Sequence, residues 1–263
     1  MNRDKEIVIL YSGGADSTLV AALMASKYKR IHLLTFYTYF MTNVEQTRIN
    51  VQKLMKKFKH VEFIHKIINI DKIYRIIRKN GYLHDILKYG TFKFYMFNLD
   101  LRISMITNTI LYCKKNKIDN VAHGANKYSG IIAPSQTKEI MKQIDKLFSS
   151  EGITKINPVY DYQDRHPILN LNLDYEIISR EEQSIRTKIP EVSKRLYELG
   201  LVNIKDVKEL NSTKYSTQVE FGLEFFYMIW YMYYFFQLYD YVTLKKLSIS
   251  YFQEKLKVIK KLI

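Results

Sequence analysis

Ile7-Val8-Ile9-Leu10-Tyr11-Ser12-Gly13-Gly14-Ala15-Asp16-Ser17-Thr18 is the stretch whose reading decides the fold. The unbroken apolar run from Ile7 to Tyr11 shows no polar alternation, which is the pattern of a parallel strand covered on both faces. Gly13 and Gly14 then allow a tight turn. From Asp16 a helical spacing begins, with Leu19, Val20, Leu23 and Met24 apolar. A strand, a glycine turn and a helix start in that order aim backbone N–H groups and the positive helix end at an anion. The glycines let a phosphate approach the main chain, and Ser12, Ser17 and Thr18 add hydroxyl donors. No lysine follows the glycines, so the loop is not of the GxxxxGK[ST] kind.

The same alternation continues outward. Ile31 to Phe36 reads as a second strand, Val44 to Phe58 as a helix, and Val61 to Ile64, reaching towards Ile67, as a third strand. Residues 71–90 form a basic helical insert, and Phe92 to Lys117 is the longest helical candidate. Asp119 to Ala122 reads as a fourth strand, Gln136 to Phe148 as a helix, and Ile156 to Val159 as a short extended segment. Strands alternating with helices predict an α/β fold with a doubly wound, mostly parallel sheet. An α/β domain is predicted over 1–175, and a mostly helical C-terminal region over 176–263.

Composition narrows the function classes. The chain has 263 residues, with 47% hydrophobic and 25% charged residues, as in a globular protein. Its single cysteine, Cys113, forms no internal disulfide and offers no CxxC pair, so no structural zinc is expected. The 41 Lys and Arg against 26 Asp and Glu give a net charge of +15, which attracts nucleotides, nucleic acid or acidic surfaces. The basic residues are spread along the chain, which favours a small anionic partner over nucleic acid. No stretch near the N-terminus has the length of a signal peptide core, so a cytoplasmic location is expected. The aromatic stretch Phe221 to Tyr241 is interrupted by Glu224 and Gln237 and rich in tyrosine. It reads as a buried helix or a homodimer interface, and no membrane association is expected.

The stretch Ser12-Gly13-Gly14-Ala15-Asp16-Ser17 resembles the SGGxDS signature of the PP-loop ATP pyrophosphatases, a Rossmann-type family with an adenine nucleotide alpha hydrolase-like fold. The resemblance in fold covers about residues 1–175. It implies ATP bound by Tyr11, Ser12, Gly13, Gly14, Ala15, Asp16, Ser17 and Thr18, with Phe36 and Gly124 also in the nucleotide site. It further implies Asp16 beside Mg2+ and pyrophosphate. His123-Gly124-Ala125-Asn126-Lys127-Tyr128-Ser129-Gly130 follows the fourth strand and so faces the same sheet edge as the first loop. That segment is similar to the GxNxxDYSG region of 7-cyano-7-deazaguanine synthases, with one or two residues deleted. The similarity implies a purine-like substrate near His123, Asn126, Tyr128 and Ser129. Pro167-Ile168-Leu169 with Asp174 to Ile177 resembles a further element of the same enzymes. Their four zinc cysteines have no counterpart here, and their Tyr-Pro-Asp-Cys-Arg segment is replaced by Ile131 to Thr137.

This profile most resembles the PP-loop enzymes that form 6-thioguanine. The resemblance implies adenylation of the 6-oxo group of a guanine-like purine with loss of pyrophosphate. Cys113, as a persulfide charged by a cysteine desulfurase, would then replace AMP with sulfur, making Cys113 and Asp16 the catalytic residues. Arg102 and Lys127 are candidates to neutralise phosphate charge. Asp161, Asp164, Arg165 and His166 form a further polar cluster. Three alternatives stay open: ammonia in place of sulfur, thiolation of tRNA, and a nucleotide-binding assembly protein without catalysis.

Overall fold

A computed structural model describes residues 5–90, 93, 96–125, 134–162, 191–202, 220–221 and 241–263. Five parallel strands form one sheet: β1 (Glu6–Leu10), β2 (Arg30–Tyr37), β4 (Glu62–Asn69), β5 (Asn120–His123) and β6 (Thr154–Ile156), in the order β4-β2-β1-β5-β6. The chain therefore runs outward from β1 in one direction through β2 and β4. It then returns to the other side of β1 with β5 and β6. That reversal makes the carboxyl ends of β1 and β5 the switch point, where a crevice opens in doubly wound sheets. The register pairs Leu10 with Leu34 on one side and with His123 on the other.

Both faces of the sheet are covered. On one face Ile7 and Ile9 pack with α1 (Ala15–Met24), α2 (Thr47–Lys57) and α7 (Glu191–Glu198) through Leu19, Val20, Val51, Leu54 and Leu196. On the other face Val8 and Leu10 pack with α3 (Asp71–Lys79), α5 (Phe97–Asn116), α6 (Lys138–Ser150) and α8 (Tyr241–Ile259). Burial on both sides explains why β1 carries no polar alternation. The fold class expected from the sequence is thus the one observed, and strand and helix limits agree to within a few residues. The 71–90 insert is two helices, α3 and α4 (Tyr82–Tyr89). The short segment expected at Ile156 to Val159 pairs earlier, over Thr154–Ile156.

The described C-terminal elements lie on the main sheet. α7 packs against α1, and α8 against α5, so both share the core of residues 1–162. A two-stranded antiparallel ribbon, β3 (Met41–Thr42) with β7 (Glu220–Phe221), adds a third tie that no sequence pattern announced. The expected boundary near 175 lies outside the described residues, as do residues 222–240 of the aromatic stretch. Among the described residues no helix is long and apolar enough to cross a membrane.

α8 is fixed by buried charge as well as by apolar contact. Asp85 on α4 accepts ion pairs from Lys93 at 2.9 Å and Lys255 at 2.7 Å, and all three side chains are buried. Tyr251 donates its hydroxyl proton to Asp100 at 2.6 Å, and Lys93 also bonds the Tyr251 hydroxyl. Lys255 donates to the Asn80 carbonyl at 2.6 Å. Two carboxylates and two ammonium groups balance each other, so the group is tolerated only whole. Asp85→Ala removes the carboxylate that Lys255 pairs with and leaves Lys93 with Asp100 at 3.7 Å. It is expected to cost about 3–5 kcal/mol in urea denaturation; a loss under about 1 kcal/mol would show that the lysines find water instead.

Candidate functional site

The loop after β1 is held by its neighbours. Tyr11 donates its N–H to Leu34 O at 2.8 Å, and its carbonyl accepts the Thr35 hydroxyl at 2.9 Å. Gly13 sits at φ +80°, in the left-handed region that favours glycine. The Asn50 side-chain amide donates to the Gly13 carbonyl at 2.9 Å and fixes that turn. Gly14 precedes the first turn of α1 without a side-chain cap. Ser12 and Ser17 hydroxyls lie 3.2 Å apart, and Ser17 donates to Gly14 O at 3.1 Å. Tyr11 and Thr18 hydroxyls are 3.3 Å apart beneath the loop, and burial pushes the Tyr11 phenol up to about 12. Tyr11 and Thr18 are thus buried supports, while Ser12, Gly14, Ala15 and Asp16 keep partial exposure.

β5 brings the second segment against the first. A Cβ built on Gly124 would lie 2.9 Å from both the Asp16 carbonyl carbon and the Ser17 nitrogen. Nothing larger than glycine fits between the end of β5 and the first turn of α1. The structure thereby brings together Gly124, Asp16 and Ser17, which the sequence reading assigned to one site.

His123, just before this contact, is buried. Its Nδ1 accepts the Ala125 N–H at 3.0 Å and lies 3.3 Å from Arg102 Nη2. Because an arginine and a backbone amide both donate to Nδ1, the ring is neutral with its proton on Nε2. Burial first, then the charges of Arg102 and Lys155, hold its pKa well below the usual histidine range. Burial also lowers the Arg102 guanidinium to about 10. Lys155 is paired with Asp145 at 2.6 Å. Asn157, after β6, donates to the Ala125 carbonyl at 2.8 Å. Four buried side-chain atoms have no hydrogen-bond partner among the described residues: Thr38 Oγ1, Arg102 Nε, His123 Nε2 and Asn157 Oδ1. Thr38, His123 and Asn157 sit at or just past the carboxyl ends of β2, β5 and β6, and Arg102 reaches the end of β5 from α5. Unpaired buried polar groups are costly, and among the described residues they lie at the carboxyl edge of the sheet or reach it.

Phe36 lies near the carboxyl end of β2, buried in the apolar core. Asn126, Lys127, Tyr128, Ser129 and Gly130 lie outside the described residues, as do Asp164, Arg165, His166 and the 167–177 element. Asn50, Thr35 and Asn157 escaped the sequence reading. Asn50 has no local motif, because its partner is 37 positions away.

Cys113 lies apart from the loop after β1. It is buried near the C-terminal end of α5, its carbonyl accepting the Ile118 N–H at 3.0 Å as the chain turns into β5. Its neighbour Tyr112 bonds His32 Nδ1 at 2.9 Å, and His32 Nε2 reaches Glu6 at the start of β1 at 3.0 Å. Cys113 therefore lies at the amino edge of the sheet, opposite the loop. It is roughly 16 Å further along α5 than Arg102, at about 1.5 Å per residue. Burial pushes its thiol up to about 12, so it is neutral at physiological pH. The Cys113 thiol and the Ser12–Thr18 loop are thus at opposite edges of the sheet.

Residues 5–89 match the model of a family of unknown function, DUF7411. No curated protein matches the chain. Among solved structures, the chain is similar to a predicted subunit of tRNA methyltransferase from Methanocaldococcus jannaschii. That match has 20% identity over 59% of this chain and 68% of the other, with a TM-score of 0.35. It is also similar to NMN synthetase from Francisella tularensis, at 14% identity over 88% of this chain and 84% of the other, with a TM-score of 0.36. Similarities this remote carry no chemistry across.

Two measurements check this geometry. Gly124→Ala forces the end of β5 away from α1 and is expected to weaken binding of a non-hydrolysable ATP analogue by about tenfold, read by calorimetry; unchanged affinity would separate the nucleotide from this contact. Iodoacetamide at pH 8 is expected to alkylate Cys113 more than about a hundredfold slower in the native protein than in urea, with the native rate still rising at alkaline pH. Equal rates would place the thiol in an open, ionised setting.

Proposed function

We propose that this protein is an ATP-dependent enzyme of the PP-loop kind that activates an oxygen of a small acceptor by adenylation. The observation that carries the reading is the Ser12–Thr18 loop at the carboxyl end of the central strand, with α1 aimed across it and Gly124 pressed against its first turn. The acceptor oxygen attacks the α-phosphorus of ATP, the bond from that phosphorus to the bridging oxygen breaks, and pyrophosphate leaves. A nucleophile then forms a bond to the acceptor carbon, the carbon–oxygen bond breaks, and AMP departs with the oxygen.

The chain's own residues have distinct tasks in this scheme. Backbone N–H groups of the loop and the first turn of α1 hold the phosphate oxygens as charge shifts to pyrophosphate. Ser12 and Ser17 add hydroxyl donors, and Asn50 keeps the Gly13 turn in place. One carboxylate next to a phosphate site suits Mg2+, which takes few protein ligands and relies on phosphate oxygens, so Asp16 is the residue to hold it. Bound there, Mg2+ would neutralise charge on the leaving pyrophosphate. The likeness of residues 123–130 to the deazaguanine synthases supports a purine-like acceptor with a 6-oxo group, and sulfur transfer giving 6-thioguanine is the finer reading of that likeness. The position of Cys113 favours a nucleophile delivered from outside the chain: ammonia, sulfide, or sulfur carried by a partner protein.

The test is AMP and pyrophosphate release from ATP and Mg2+ with guanine, in the presence of sulfide or ammonium, with mass spectrometry of the base. Ser17→Ala and Asp16→Asn are each expected to lower AMP formation by about tenfold or more. Cys113→Ser is expected to leave it within about twofold. Loss of a thiolated product in Cys113→Ser alone would restore the persulfide, and AMP formation indifferent to Ser17 and Asp16 would remove the loop from catalysis.

A further inference from the structure

Thr35 is buried near the carboxyl end of β2, and its hydroxyl has two partners. One is the Tyr11 carbonyl at 2.9 Å, and the other is His65 Nε2 on β4, also at 2.9 Å. A carbonyl only accepts, so the single hydroxyl proton goes to Tyr11. His65 Nε2 then carries the proton that Thr35 receives, and Nδ1 is the bare nitrogen. The ring is held for this task. His65 stands opposite Leu33 in register, on the sheet face that Thr35 shares, and it meets the Tyr11 ring edge-on at 5.9 Å and 82°. Burial first, then the charge of Arg48, lower the His65 pKa against the opposing pull of Glu45, so the ring is neutral at physiological pH. The hydrogen-bond chain therefore runs one way, from His65 through Thr35 to the Tyr11 carbonyl.

That carbonyl belongs to the Tyr11–Ser12 peptide. A trans peptide is planar, and its C=O and N–H point in opposite directions. Tyr11 turns both its own N–H and its carbonyl towards β2, onto Leu34 and Thr35. The Ser12 N–H therefore points the other way, to the β5 side, where the crevice of the switch point lies. Among the described residues no backbone carbonyl accepts from it. We propose that His65 and Thr35 are positioning residues that aim the Ser12 N–H at the phosphate chain of the nucleotide. Holding one peptide plane from behind fixes a donor on its front, and the donor is then in place before the ligand arrives. The identity of the anion rests on the adenylation reading; the direction of the N–H does not.

Inorganic pyrophosphate with Mg2+ is the probe, titrated into the full chain by calorimetry. Thr35→Val keeps the shape and removes the donor, and is expected to weaken binding by about tenfold. His65→Leu is expected to weaken it by about threefold or more, and His65→Gln, whose amide nitrogen can stand where Nε2 stands, to recover most of that loss. Two NMR signatures separate aiming from packing. Long-range proton–nitrogen spectra are expected to show His65 protonated on Nε2 and bare on Nδ1. The Ser12 amide resonance is expected to move on pyrophosphate addition in the wild type and in His65→Gln, and to stay in place in Thr35→Val. A wild type that binds no pyrophosphate at millimolar concentration, a proton on Nδ1, or a Ser12 amide indifferent to the ligand overturns the proposal. So does a fall in Tm for Thr35→Val and His65→Leu with affinity unchanged, which would make both residues structural only. Failure of the adenylation reading shows separately, as absent AMP release while pyrophosphate binding still depends on Thr35. AMP release undiminished in Thr35→Val removes the positioning pair and leaves that reading intact.

Discussion

The contact between Gly124 and the first turn of α1 is the constraint on which the site depends. The parallel pairing of β5 with β1 sets it, since Leu10 and His123 stand opposite each other in register. One residue past His123 the chain must clear the Asp16 and Ser17 backbone, and a Cβ would come within 2.9 Å of both. A glycine there lets the two loops share one crevice. The loop after β1 carries N–H groups and hydroxyls, the end of β5 carries His123 beside Arg102, and Asn157 holds the Ala125 carbonyl just past it. Sheet order and one missing methyl group are therefore as much a part of the site as its polar side chains.

The rest of the molecule keeps that edge in place. Tyr11 is pinned by Leu34 and Thr35 from β2, and Gly13 by Asn50 from α2, so both strand neighbours and a helix hold the loop. On the opposite face, the group of Asp85, Asp100, Lys93, Lys255 and Tyr251 fixes the last helix to α4 and α5. Asp100 is on α5 half a turn from Arg102, so the turn that presents the guanidinium to His123 is the one the network grips. A buried set of charges of this kind adds little stability over apolar packing, yet it permits one arrangement of its partners. That is a fitting property for a helix whose early turns hold Arg102 against His123.

Polar satisfaction divides the molecule in two. At the amino edge, Arg30 is paired with Glu6 and Glu62, and His32 with Glu6 and Tyr112. Among the described residues, the buried side-chain atoms without a hydrogen-bond partner lie at the carboxyl edge or reach it. Cys113 belongs to the satisfied half, where a buried thiol acts as a small apolar group. Its lone occurrence in the sequence carried no information about that position.

The sequence by itself determined the sheet and the glycine loop after its first strand, because both are local. An apolar run buried on two faces, a glycine turn and a helix start are written in adjacent residues, and the alternation of strands and helices through residue 162 needs no distant partner. Gly124 was legible as part of the site through its place after a strand. The tertiary structure alone decided which distant groups serve that loop. Asn50 reaches Gly13 across the α2 crossover, Asn157 meets Ala125 across two strands, and Lys255 finds Asp85 from the far end of the chain. It also decided on which edge Cys113 falls. A helix that returns antiparallel to the sheet carries its last turns to the amino edge, so a residue close to the fourth strand in sequence is remote from that strand's carboxyl end in space.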